Sequence, residues 1–69
     1  MERRKIVYPN LKAEIARNGD TIEQLSKLLN ISEISFWRRL SGIIEWKISE
    51  ANILSEHYNM NIEELFKKN

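Results

Sequence analysis

The sequence predicts an all-α fold, a compact bundle of about five short helices built around a helix-turn-helix. Three observations carry this expectation. Apolar residues recur three and four apart, the period of a helix with one buried face, and no stretch makes a convincing strand. Helix start and stop residues punctuate that period at regular intervals. Two of the helices are separated by only about three residues, "NIS", and so short a link makes successive helices cross steeply.

Composition narrows the function. A chain of 69 residues makes one small domain, near the lower limit of what a hydrophobic core stabilises unaided. It contains no cysteine, so disulfides and thiolate metal sites are excluded, which fits a reducing, intracellular compartment. No apolar run approaches the roughly 20 residues of a membrane span. The start, "MERRKIVYPN", is charged without the apolar core of a signal peptide. The net charge of +1 hides a polarity: residues 1–47 hold nine Lys/Arg against six Asp/Glu, residues 48–69 two against four. A basic body with an acidic end is a mild form of the asymmetry seen in nucleic-acid binders.

The elements follow in order. Residues 1–7 read as a frayed basic arm ending in Ile6 and Val7, and residues 8–69 as the domain. Helix one starts near Pro9, whose fixed φ suits a first turn, and ends at Asn18 with Gly19 as left-handed cap. Leu11 and Ile15 are its inward residues, with Ala16 beside them. Helix two covers about 22–29. Thr21 and Gln24 have capping-box spacing, Ile22, Leu25 and Leu29 form the buried stripe with Leu28 semi-buried, and Asn30 suits a left-handed C-cap. Ile31 plugs the corner. Helix three covers about 33–41, capped by Ser32 and stopped by Gly42. Ser49 is read as the cap of helix four, with Ala51, Leu54 and Tyr58 inward. Asn61 and Glu64 open a final turn in which Ile62, Leu65 and Phe66 close the core.

Helix three carries the candidate site. Phe36 and Leu40 define its inward face, and Ile34, Arg38 and Ser41 line the opposite one at i, i+4 and i+7. Trp37 and Ser35 lie on the flanks, and Arg39 borders the core side. A helix in a DNA major groove presents such a ridge: an Arg to fork onto guanine O6 and N7, an apolar group for thymine methyls, and hydroxyls for phosphate or base.

The whole stretch from Tyr8 to Phe66 resembles the helix-turn-helix domain of the Cro/phage-repressor (XRE-type) family, in particular its small phage and prophage regulators. The resemblance rests on "NLKAEIARNG", "TIEQLSKLLNIS", "SFWRRLSG", "WKISEANIL" and "NIEELF", five landmarks in order. It implies a lambda-repressor-like DNA-binding domain of Cro/C1 type that acts as a transcriptional repressor or switch. Such a protein binds double-stranded operator DNA as a homodimer in the bacterial cytoplasm or nucleoid, with no cofactor and no small-molecule substrate. Carried onto this chain, the base-contacting positions are Glu33, Ile34, Trp37 and Arg38. The phosphate-contacting positions are Thr21, Ser32, Ser35, Arg39, Ser41 and Lys47. Relatives often place Gln where this chain has Ile22, and a polar, basic loop where it has "GIIEW".

Several residues have a second reading. Arg39 can lay its stem across the helix corner with its head in water, and Trp37 can cover the turn. Ile43, Ile44 and Trp46 either fold back on the core or form a dimerisation patch. Arg3, Arg4 and Lys5 are either a solvated tail or an arm on the DNA backbone or minor groove. His57 is expected on an exposed face, and with no second His or any Cys a metal site is not expected. No nucleophile has a base partner in the sequence and no Gly-rich phosphate loop exists, so the chain is not read as an enzyme. The alternative function is a protein-interaction module, an antirepressor or adaptor, suggested by Glu33 on the reading edge and by the apolar "GIIEW" loop.

Overall fold

Local cap chemistry sets the boundaries of five helices in the computed structural model, which describes residues 5–69. They are α1 (Pro9–Arg17), α2 (Ile22–Leu29), α3 (Glu33–Leu40), α4 (Ile48–Tyr58) and α5 (Ile62–Leu65), and no strand occurs among the described residues.

Helix α1 begins with Pro9 in its first turn, behind Tyr8 in a non-helical conformation. It ends through a left-handed Gly19 (φ 69°), with the Gly19 N–H donating to Ala16 O (3.2 Å) and the Asp20 N–H to Ile15 O (3.1 Å). Helix α2 starts in a complete capping box. Thr21 Oγ1 accepts from the Gln24 N–H at 3.1 Å, and Gln24 Oε1 from the Thr21 N–H at 3.0 Å. Asn30 then takes the left-handed conformation (φ 58°), and Ser32 caps α3 three residues after α2 ends. Helix α5 is capped by Asn61 Oδ1, which accepts from the N–H groups of Glu63 and Glu64 at 2.8 and 3.3 Å.

Leu11, Phe36, Leu40, Leu54 and Leu65 form a completely buried centre, joined by Tyr8, Ile15, Leu25, Leu29 and Tyr58. Helix α2 packs on α3, and α5 packs on both α1 and α4. The inward stripes expected from the sequence supply most of this core.

Five expectations are corrected. Helix α4 is preceded by Lys47, not Ser49, because the Glu50 carboxylate reaches back to accept the Lys47 N–H at 3.0 Å, and Ser49 is already helical. Ala16 faces solvent and Leu28 is 46% exposed, each lying off the side of its helix that the core covers. Ile62 stands outside the core on α5, and only Leu65 there is fully buried. The segment before α1 is docked, not frayed, at Ile6 and Val7. The Val7 N–H donates to Leu40 O (3.0 Å), and Asn69 donates to Val7 O and Ile6 O at 3.1 and 3.2 Å.

Candidate nucleic-acid interface

Helix α3 is held by one face and presents the other. Phe36 and Leu40 are fully buried, while Ile34 is 60% exposed and Glu33 and Arg38 are exposed. The helical repeat puts Ile34 and Arg38 on one ridge, with the half-buried Ser41 one turn further. At the start of the helix Ser32 Oγ accepts from the Ser35 N–H (3.1 Å) and lies 3.0 Å from Ser35 Oγ. Glu33 sits in the first turn, where a carboxylate complements the positive end of the helix dipole. Trp37 is half-buried against the core and presents only part of its ring.

The remaining site residues lie on other elements. Thr21 is exposed at the amino end of α2, and Lys47 is exposed at the amino end of α4. Lys5 is exposed, whereas Arg3 and Arg4 lie outside the described residues.

Arg39 requires a correction. Its guanidinium is buried and clasps Glu50, with Nε 2.9 Å from Oε1 and an NH2 group 3.1 Å from Oε2, and it also donates to Ser35 O at 3.2 Å. The fork geometry of arginine matches a carboxylate in this bidentate way, and burial of the paired guanidinium keeps it from a phosphate. Burial works against the charge of Glu50, yet the hydrogen bond from Arg39, the Lys47 N–H and the two nearby cations together hold its carboxyl below the usual range. Arg39 therefore ties the end of α3 to the start of α4 and fixes both ends of the Ser41–Lys47 loop.

Trp46 is corrected too. Its ring turns inward and meets Phe36 and Phe66 edge-on, with centroids 5.3 Å away in each case, and Tyr8 at 6.3 Å. Such edge-to-face packing favours burial of the indole over its use as an outer patch. Of the expected patch, Ile44 is half-buried and Ile43 alone stands well out, at 74% exposed. Ile48 is the other strongly exposed apolar side chain of this region (81%), and it edges a shallow groove floored by Tyr8, Trp46, Ala51 and Phe66.

Two polar clusters escaped the sequence reading, though one left a sign. Glu50, Leu54 and Tyr58 occupy i, i+4 and i+8 on α4, and Phe36, Arg39 and Leu40 share one side of α3. Charged residues on otherwise inward stripes demand a buried partner. The second cluster joins distant segments. Asp20 Oδ2 accepts from the Tyr58 hydroxyl at 2.8 Å and lies 3.1 Å from His57 Nε2. The Tyr58 hydrogen bond is the main cause of a lowered Asp20 pKa; burial opposes it, and His57 adds a lesser lowering. Burial, and then the Asp20 carboxylate, push the Tyr58 hydroxyl upward.

Among the described residues, no three His, Cys, Asp or Glu side chains are placed to hold a metal ion, and no helix is long and apolar enough to cross a membrane. No family model, curated protein or solved structure matches the chain.

Proposed function

We propose that this protein is a sequence-specific DNA-binding regulator of Cro-like type that occupies operator DNA as a homodimer, with α3 in the major groove. The observation that carries the reading is the Ile34–Arg38 ridge, exposed on a helix whose opposite face is fully buried and whose start is capped by Ser32. Arg38 forks onto guanine, Ile34 meets a thymine methyl, and Glu33 accepts from cytosine N4, while the exposed edge of Trp37 adds apolar contact. Thr21, Ser32, Ser35, Ser41 and Lys47 position the protein on phosphates. The two half-sites lie about 34 Å apart, one helical turn.

The test is an anisotropy titration against DNA from upstream of the protein's own gene, at two salt concentrations and with random competitor. Specific binding that weakens steeply with salt supports the reading, because phosphate contacts release counterions. Arg38→Ala is expected to lose about 1–3 kcal/mol and relax specificity at one base pair. No preference over competitor at low salt refutes the reading.

The exposed Ile34 and Ile43 favour a second reading, a protein-interaction module that uses the same face. An apolar interface of that kind holds as salt rises, so the same titration with a protein partner separates the two.

A further inference from the structure

We propose that Asn18 is a site of spontaneous covalent ageing, where the amide converts to aspartate and isoaspartate at a rate set by opening of the α1 C-terminus. Asparagine is the thermolabile amide of proteins, and its reactivity depends on the residue that follows. Asn18 alone precedes a glycine. Asn10, Asn30, Asn52, Asn59 and Asn61 precede Leu11, Ile31, Ile53, Met60 and Ile62, whose side chains shield the backbone nitrogen that must react. Gly19 offers no such shield, and among the described residues nothing beyond its two chain neighbours lies within 4 Å of where its Cβ would be.

The chemistry needs only water and a base. Hydroxide takes the Gly19 N–H proton, and the nitrogen attacks Asn18 Cγ. A new N–Cγ bond forms, the Cγ–Nδ2 bond breaks, and ammonia departs with a proton from water. Water then adds to either carbonyl of the resulting succinimide and opens the ring to Asp or isoAsp.

The folded cap holds these atoms out of reaction. Asn18 Nδ2 donates to Glu14 O at 2.7 Å, and the Gly19 N–H donates to Ala16 O at 3.2 Å. The Asn18 backbone sits at ψ 0°, so closing the ring requires rotation there as well as loss of both hydrogen bonds. Asn18 and Gly19 are exposed at a helix end, where opening is local and does not require unfolding of the core.

The product would not restore the cap. A carboxylate at position 18 loses the donor to Glu14 O and faces the Glu14 carboxylate, whose Oε1 now lies 3.4 Å from Asn18 Nδ2. Glu14 is paired with Arg17 at 2.8 Å, and a second carboxylate beside it would meet the negative end of the α1 dipole. The same turn leads into Thr21, the cap of α2.

The test incubates the full chain at mildly alkaline pH, folded and in denaturant, and follows peptide masses together with an isoaspartate-specific methylation assay. The amide-to-acid mass change is expected first in the peptide containing Asn18. It should be slower in the folded chain by roughly 5- to 100-fold, the effect of two hydrogen bonds that must open. Asn18→Gln should remove this early signal, and Asn18→Asp should lower Tm. Equal rates in the folded and denatured chain overturn the proposal, as does an earlier change at another asparagine.

Discussion

Replacing Arg39 with methionine would leave the Glu50 carboxylate in a site that is 5% exposed, without its bidentate partner. Breaking a buried ion pair from one side typically costs about 3–5 kcal/mol, because the remaining charge is stranded. A domain of 69 residues has a total stability of roughly 3–10 kcal/mol at ~0.05–0.15 kcal/mol per residue, so Arg39→Met is expected to sit close to its unfolding midpoint. Urea denaturation followed by tryptophan fluorescence reads the change. With m of about 1–3 kcal/mol/M, the midpoint should fall by about 1 M or more. A second substitution gives the sharper comparison. Arg39→Met/Glu50→Leu removes both charges, and its stability should recover well above that of the single variant, since an apolar pair of similar volume is often neutral or stabilising. Acid gives an independent reading. The carboxyl of Glu50 is held below its ordinary value of 4.5 when folded, so its contribution is complete above that value and is lost as pH falls through the lower, folded one. A single variant that costs under about 1 kcal/mol, the level of an exposed pair, would refute this account, as would a double variant no better than the single.

Tyr58→Phe removes the hydroxyl that donates to Asp20 and should cost about 1 kcal/mol in the same assay. Because Asp20 is lowered chiefly by that hydroxyl, the parent should lose stability as pH falls through the folded Asp20 value, and Tyr58→Phe should show less of this acid dependence. Ser26 Oγ is buried on α2 without a hydrogen-bond partner, so Ser26→Ala should raise stability by up to about 1 kcal/mol, measured as an increase in urea midpoint.

Much of the architecture was legible because cap chemistry is local. Thr21 with Gln24, Ser32, Asn30, Gly42 and Asn61 each act within a few residues of their position, and each acts in the structure as its neighbours imply. Ser49 misled because the Glu50 carboxylate, engaged with Arg39, also takes the Lys47 N–H and moves the helix start back. The candidate ridge was legible for a similar reason: Phe36 and Leu40 dictate which side of α3 is left for Ile34 and Arg38. Arg39 was not, since its direction depends on a carboxylate 11 residues away across a loop. Trp46 lies in that loop, where no helical period says which way a side chain turns. Asp20 meets His57 and Tyr58 across 37 and 38 positions, a pairing that no local pattern records.

The docked segment ahead of α1 has a consequence for the order in which the molecule can be completed. Leu40 O, at the end of α3, is bound by Val7, and Val7 O is bound in turn by Asn69. Asn10 likewise reaches Glu64 O at 2.8 Å. Residues 64–69 are synthesised after α1, α2 and α3, so the side of the bundle that they close follows the helices it steadies. Loop-closure entropy over such long separations must be overcome before these bonds form. A growing chain therefore carries α3 and Val7 before residues 64–69 are made, and these later residues fasten the segment that holds the end of α3.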